Sequence, residues 1–329
     1  MKKIAINGMG RIGRASLKII LDNPALDLVA VNDIASIENI AYLLKYDSVH
    51  GIFEKDVNVE NDSLLVNGKK IPFYSQRNPE DLPWKELDVD VVIESTGFFT
   101  KEEDAQKHVD AGAKVVVISG PTASGGVPTV IHGVNTKDGK NTIFSCASCT
   151  TNNISPVIEI LGRRIGIAKA IMTTVHANTS SNSTVDAPSK KTRMGRSGMN
   201  NLIPTSTGAA TATTKSLPEY AGKFDGMAIR VPVAIGSVSD ITLVTTRKTS
   251  KEELNQIFTE EASTARYKNV IRVTNDPIVS SDIVKDPHAA VIDLEMTKVV
   301  DGDLVKVLAW YDNEWGFANQ MIRQILENV

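Results

Sequence analysis

The residues able to do chemistry gather in a few short stretches. The first is Ser145-Cys146-Ala147-Ser148-Cys149-Thr150-Thr151-Asn152-Asn153. It lies between a strand-like run, Thr142-Ile143-Phe144, and a helical pattern in which Ile154, Ile158, Leu161 and Ile165 share a face. Cys149 is therefore expected at or near a helix N-terminus, where the peptide dipoles favour a thiolate. Thr150 and Thr151 can cap the first turn and offer hydroxyls to an anion. Spacing alone leaves other readings open. Cys149 could be an inert buried thiol or half of a thioredoxin-type dithiol. Cys-x-x-Cys is incomplete for zinc without two more ligands, so no metal is expected.

A nucleophile needs a base, and the chain holds five histidines. His176 ends a β-rich run, Ile171-Met172-Thr173-Thr174-Val175, and hydroxyl-bearing Thr179, Ser180 and Ser181 follow closely. His50, His108, His132 and His288 have no comparable setting and read as surface or core. Arg230 is a charge inside the apolar run Ile229-Arg230-Val231-Pro232, and such a residue needs an anion or a carboxylate. Ser206-Thr207-Gly208-Ala209-Ala210 is a donor-rich turn that suits either a phosphate or a helix N-cap.

Gly8-Met9-Gly10-Arg11-Ile12-Gly13 follows a strand and opens a helix. Glycines there permit a tight turn and close backbone approach to a pyrophosphate seated on the helix N-terminus. Asp33 lies twenty residues beyond Gly13, at the end of the next strand. A carboxylate at that place accepts hydrogen bonds from an adenosine ribose and repels a 2′-phosphate.

These stretches need a scaffold. Through the first 120 or so residues strand-like and helix-like runs alternate. Lys3–Ile6, Leu28–Val31, Val89–Ile93 and Val115–Ile118 read as strands, and Ile12–Leu21 and Ile37–Leu44 as helices. That alternation predicts α/β architecture, a Rossmann-type doubly wound parallel sheet. Beyond about residue 165 strand-like runs follow one another: Ile167–Val175, Met227–Val233, Val238–Thr246, Ala289–Leu294 and Leu304–Tyr311. One helix interrupts them, where Ser250 and Glu253 form a capping-box pattern ahead of Leu254, Ile257, Phe258 and Ala262. An α+β domain with a mainly antiparallel sheet, one face covered, is expected. The polar stretch Ala177–Asn201 is too long for an idle loop. Trp315–Leu326 reads as a docking amphipathic helix. The expected boundaries are 1–148 for the nucleotide domain, completed by a C-terminal helix at 313–329, and 149–312 for the catalytic domain.

Composition narrows the classes. The 329 residues include 36 Lys plus Arg against 39 Asp plus Glu, a formal charge of −3. A near-neutral chain argues against nucleic-acid or anionic-membrane binding as its main task. Two cysteines exclude a disulfide scaffold. No apolar run approaches the roughly 20 residues of a membrane span, and the N-terminus does not read as a signal peptide. A reducing, cytoplasmic setting is expected.

Together the motifs resemble one family over essentially the whole chain, the phosphorylating glyceraldehyde-3-phosphate dehydrogenases. The strongest are Ala147-Ser148-Cys149-Thr150-Thr151-Asn152, Thr174-Val175-His176-Ala177, Ile203-Pro204-Thr205-Ser206-Thr207-Gly208-Ala209-Ala210 and Trp310-Tyr311-Asp312-Asn313-Glu314-Trp315-Gly316. The resemblance implies oxidation of D-glyceraldehyde 3-phosphate, with inorganic phosphate and NAD, to 1,3-bisphosphoglycerate in glycolysis and gluconeogenesis. Cys149 would pass through a thiohemiacetal and a thioester, and His176 would raise its thiolate fraction and move the proton. Arg11, Ile12, Asp33, Arg77, Thr96, Ser119 and Asn313 would hold the cofactor. Ser148, Thr150, Thr207 and Gly208 would hold the attacking phosphate, and Thr179 and Arg230 the substrate's own. A homotetramer is implied, with Ala177–Asn201 at subunit contacts.

The chain also departs from the family pattern. Arg193-Met194 stands where the family has an arginine pair, so either Arg193 or Arg196 substitutes for the missing donor or phosphate binds weakly. Ser181 replaces a common Asp, Asn178 an aromatic, and Phe317 a Tyr. Ala187 replaces a Leu and leaves room for some NADP use. Cys146 is unusual, and its spacing suggests that it could trap an oxidised Cys149 as a disulfide. The alternatives are a sister dehydrogenase acting on another phosphorylated aldehyde, such as erythrose 4-phosphate, and a non-catalytic homologue that binds RNA or another anion through Lys190, Lys191, Arg193 and Arg196.

Overall fold

A computed structural model describes residues 1–136, 139 and 141–328. They form two compact units, one of Met1–Val130, Thr136–Ala147 and Met321–Val329, the other of Ile131–Asn135 and Ser148–Gln320.

The first unit opens with β1 (Lys2–Asn7), α1 (Arg11–Leu21), β2 (Leu26–Asn32) and α2 (Ile37–Lys45). Short strands β3 (Tyr46–Asp47), β4 (Gly51–Ile52), β5 (Val57–Val59), β6 (Ser63–Val66) and β7 (Lys69–Tyr74) follow. Then come β8 (Val91–Glu94), α3 (Glu102–Asp110), β9 (Val115–Ile118) and β10 (Ile143–Ser145). The main sheet runs β10-β9-β8-β1-β2-β7-β6-β5. It is parallel from β10 to β7, and β6 and β5 add antiparallel edges. Val91–Glu94 and Val115–Ile118 are buried at every position, as strands covered on both faces must be. The expected strand at Val89–Ile93 starts later, because the Val89 N–H donates to Trp84 O in the preceding turn. Between Tyr46 and Tyr74 the five short strands have no counterpart among the expectations; two to six residues each, they carry little periodic signal.

The second unit contains α4 (Cys149–Ile165), β11 (Ile167–Ala177), β12 (Ile203–Ser206), α5 (Ala209–Ser216), β13 (Phe224–Val231) and β14 (Ser237–Thr245). It continues with α6 (Lys251–Ser263), β15 (Ile271–Thr274), β16 (Ala290–Val300) and β17 (Leu304–Tyr311). The sheet order is β12-β13-β11-β14-β17-β16-β15. Four of the pairs are antiparallel, and β11–β13 and β15–β16 are parallel. Buried positions alternate along all of β14, so one face is covered. That face carries Met172, Ile241, Leu243, Val305 and Val307 and packs with Ile154, Ile158 and Leu161 of α4 and Leu254, Ile257 and Phe258 of α6. At the start of α6 the Ser250 hydroxyl accepts from the Glu253 N–H. The reciprocal half of the expected box is replaced, for the Glu253 carboxylate takes Arg247 and Thr249 instead. A last helix, α7 (Trp315–Asn328), has residues in both units. Among the described residues no helix is long and apolar enough to cross a membrane.

Candidate active site

Strand register does the first work in the second unit. In the parallel pair β11–β13, His176 lies directly beside Arg230, so both side chains leave the sheet on one face. Met172, Thr174 and His176 are buried in alternation along that strand end, with Ala177 buried after them. α4 begins at Cys149, with Ser148 as N-cap accepting the Thr151 N–H. The cap is thus Ser148 rather than Thr150 or Thr151. Asn153 Nδ2 reaches the carbonyls of Ala289, Ala309 and Trp310, which pins the first turn of α4 to the sheet. Cys149 Sγ comes within 3.4 Å of His176 Nε2.

The company of this pair sets its proton affinity. Burial pushes the Cys149 thiol up, while Arg230, the Thr150 hydroxyl and the N–H groups of Thr150 and Cys149 pull it down. Burial first, and the Arg230 charge second, lower His176 to about 4. Neither group therefore ionises readily alone. A proton passing from Sγ to Nε2 creates both charges at once, side by side, and the pair titrates as a unit. His176 Nδ1 has the Ala177 carbonyl at 2.8 Å and Arg230 Nη1 at 2.6 Å. Tyr311 anchors the floor: its hydroxyl bonds Thr150 Oγ1 at 2.9 Å and Thr174 Oγ1 at 2.8 Å. Arg230 has no carboxylate partner among the described residues, and its buried Nε has no hydrogen bond. A guanidinium so placed is short of an anion.

In the first unit a cavity of about 490 Å³ opens where β1, β2 and β8 end, lined among others by Gly8, Gly10, Asn32, Asp33, Arg77 and Thr96. Gly8 has φ +96°, and a Cβ there would stand 2.6 Å from Thr96 N. At Gly10, the N-cap of α1, a Cβ would meet nothing within 4 Å. The N-terminus of α1 thus lies at the cavity, which fits an anionic pyrophosphate. Asp33 is held by the N–H groups of Met9 and Ala35, one on each oxygen, and each oxygen keeps a lone pair for a ribose hydroxyl. These residues suit a dinucleotide.

The other expected residues are placed as follows. Arg11 donates to Asp47 at 2.6 Å, Ile12 is the second residue of α1, and Ser119 follows β9 with its N–H on Glu94 O. Asn313 is buried, its Oδ1 accepting from Ser237. Thr179 Oγ1 lies 2.9 Å from Ser181 Oγ. Thr207 Oγ1 accepts from the Ala209 N–H, and Gly208 is the N-cap of α5. Cys146 is buried, and burial alone pushes its thiol far up. Met194 is buried in a 3₁₀ turn, Thr192–Gly195, and Arg196 pairs with Asp186 at 2.8 Å. Arg193 is exposed. Asn7, Asn32, Gln76 and Ser95, which also line the cavity, were missed; polar residues closing two apolar strands, Asn7 and Asn32, were the available signal. Among the described residues no group of three or more His, Cys, Asp or Glu side chains gathers for a metal.

Two family models match the chain. The NAD-binding domain of glyceraldehyde 3-phosphate dehydrogenase covers residues 2–102, and its C-terminal domain covers residues 148–313. The chain belongs to the glyceraldehyde-3-phosphate dehydrogenase family. It is similar to glyceraldehyde-3-phosphate dehydrogenase 2 of Streptomyces avermitilis, 44% identical over 324 residues that cover 97% of this chain and 96% of the relative. The enzyme of Clostridium acetobutylicum is 44% identical over 332 residues, covering 99% and 98%. Glyceraldehyde-3-phosphate dehydrogenase 1 of Kluyveromyces lactis is 44% identical over 332 residues, covering both chains fully. Membership makes this chain an NAD-dependent oxidoreductase of the phosphorylating type. Its parallel-sheet NAD-binding domain and mixed, mainly antiparallel catalytic sheet are those the sequence predicted.

Proposed function

We propose that Cys149 and His176 carry the oxidation of D-glyceraldehyde 3-phosphate in this chain. The observation that carries the reading is the 3.4 Å contact between Sγ and Nε2 at the first turn of α4. Cys149 gives its proton to His176 Nε2 as Sγ adds to the aldehyde carbon. The imidazolium returns that proton to the new oxyanion, then takes it back as a hydride leaves the carbon. NAD, when bound, supplies the acceptor for that hydride. The Cys149 N–H and the His176 ring meet the negative oxygen. Inorganic phosphate attacks the resulting thioester, the C–S bond breaks, and Cys149 leaves as thiolate.

Arg230, short of an anion, and Thr179 receive the substrate's phosphate. Ser148, Thr207 and Gly208, at the starts of α4 and α5, serve the attacking phosphate. Thr150 serves through its N–H and hydroxyl, which also lean on the Cys149 sulfur. With Met194 unable to donate and Arg196 held by Asp186, exposed Arg193 is the cation left for that role. Arg11, Ile12, Asp33, Arg77, Thr96 and Ser119 hold NAD, and Asn313, fixed through Ser237, orients the nicotinamide amide. Asp33 favours NAD over NADP. We place the protein in the cytoplasm as a homotetramer, its nucleotide domain at 1–148 with the helix at 313–329 and its catalytic domain at 149–312.

Cys149→Ala tests the reading: NADH formation from aldehyde, NAD and phosphate should vanish while NAD still binds. Full turnover in that variant would end it. Crossing glyceraldehyde 3-phosphate and erythrose 4-phosphate with and without phosphate fixes the aldehyde.

A further inference from the structure

Behind the NAD groove lies a buried polar chain that the reaction does not use. Glu94 closes β8, and its side chain is wholly out of solvent. One oxygen, Oε1, accepts the Thr96 N–H at 2.8 Å and the Thr96 hydroxyl. The other, Oε2, accepts Asn7 Nδ2 at 2.6 Å and His108 Nε2 at 3.1 Å. Trp84 Nε1 sits 3.0 Å from His108 Nδ1. An indole N–H can only donate, so Nδ1 is the accepting nitrogen, the ring is neutral, and its one proton sits on Nε2. Three of the four partners of Glu94, the Thr96 N–H, the Asn7 amide and the His108 N–H, can only donate, and the Thr96 hydroxyl is the fourth. Glu94 is a carboxylate side chain held by four hydrogen bonds, with no lysine or arginine on it among the described residues.

The chain continues past Asn7. Asn7 Oδ1 accepts from Asn32 Nδ2 at 2.7 Å, and Asn32 pairs with the backbone of Gln76 through both ends of its amide, at 2.9 and 2.8 Å. Thr96, Asn7, Asn32 and Gln76 all line the groove. Thr96, Asn7, Asn32 and Gln76 are thus joined through Glu94 into one hydrogen-bonded run along the groove wall. Trp84 and His108 lie at its far end, both fully buried.

We infer that Glu94, oriented by neutral His108 and Trp84, is a positioning residue for NAD: it sets the direction of the Thr96 and Asn7 donors in this wall and, through Asn7, of Asn32. Because the Thr96 hydroxyl and N–H are both turned to Glu94 and the hydroxyl oxygen also accepts the Phe98 N–H, Thr96 offers the cofactor one remaining lone pair and its carbonyl, not a donor. A carboxylate is required there. Glutamine would point its NH₂ at donors on one side or the other, and the run would break at that point.

The inference rests on the assignment of this groove to NAD, so Asp33→Ala serves as control. It should weaken NAD binding, measured by calorimetry, whatever Glu94 does; unchanged affinity there would overturn the groove and this inference together. Given that control, Glu94→Gln should weaken NAD by about 10- to 100-fold. At saturating NAD kcat should stay within about threefold, and the alkylation rate of Cys149 should not change. Asn7→Asp alone should also weaken NAD, by setting a second carboxylate against the first. The double variant Asn7→Asp/Glu94→Gln exchanges amide and carboxylate. His108 Nε2 already lies 3.3 Å from the Asn7 nitrogen, so it keeps an acceptor, and NAD affinity should return to within about threefold of the original. A merely structural role would not restore binding through that exchange. Unchanged affinity in Glu94→Gln, or a double variant no better than its worse parent, overturns the inference. In the unaltered protein, ¹⁵N spectra of labelled histidine should show His108 Nδ1 unprotonated and Nε2 protonated; a doubly protonated ring, or a proton on Nδ1, overturns it too, even where the variants do not fold.

Discussion

Two buried histidines face opposite chemical circumstances. His108, with no exposed surface, takes an indole donor on Nδ1 and has the Glu94 carboxylate at 3.1 Å from Nε2, with the Asn7 nitrogen farther off at 3.3 Å. His176, 4% exposed, has a carbonyl and a guanidinium competing for Nδ1 and a thiol on Nε2, with no carboxylate in contact. The indole and the carboxylate on the first ring ask for the same tautomer. The partners of the second do not agree, since the carbonyl wants a proton on Nδ1 and the guanidinium cannot accept one. A ring satisfied in one state is structural. A ring whose surroundings leave its proton undecided can pass that proton on.

The largest test of this contrast is His176→Asn. Loss of the base should lower kcat by about 10²- to 10⁴-fold with the fold retained. Without the imidazole, burial leaves Cys149 with its proton bound more tightly than usual. A raised pKa means less thiolate at neutral pH, so alkylation of Cys149 should slow there and recover only in the alkaline range. An unchanged alkylation profile would show that His176 does not share the Cys149 proton. The corresponding change in the quiet ring is a stability effect. His108→Ala strands the Trp84 N–H and one bond to Glu94, and should cost about 2–4 kcal/mol in urea unfolding. A loss under about 0.5 kcal/mol would mean that the ring is dispensable filling.

Acid should separate folding from chemistry at His176. The folded ring binds its proton only near 4, against 6.5 for the free side chain. Between those values the unfolded chain holds the extra proton, so stability falls as pH falls through the window. The slope is at most about 1.4 kcal/mol per pH unit. His176→Asn should remove that part of the acid dependence. An identical acid limb in both proteins would show that the ring is charged in the folded state.

Much of this was legible in the chain. Glycines at 8, 10 and 13 with Asp33, and Cys149 before an apolar helical stripe, are local patterns with local causes. Pairing was not legible. Arg230 in an apolar strand announced a need for an anion, but only the β11–β13 register puts it against His176. His108 read as ordinary core because Trp84 and Glu94, twenty-four and fourteen residues away, are joined to it only by the fold. Thr150 looked like a cap because its neighbour Ser148 does that work, and Tyr311, which takes the Thr150 hydroxyl, arrives from β17.

The backbone carries the same contrast at a smaller scale. Among the described residues, five of the seven non-glycine residues with positive φ are Asn or Asp, whose short polar side chains tolerate that region. Ala147, at φ +57° and 1% exposed, has no such excuse. It stands two residues before Cys149, with its N–H on Ser145 Oγ at 2.9 Å. Left-handed alanine costs about 1–2 kcal/mol. Glycine would relieve that cost and give back about 0.5–1 kcal/mol through the looser unfolded chain. Ala147→Gly should therefore stabilise by no more than about 1.5 kcal/mol, read from the urea midpoint. If the strain serves to aim Cys149, the relieved variant should also alkylate or turn over more slowly despite being more stable. Equal or faster chemistry in a stabilised variant would show that the strained turn only joins β10 to α4.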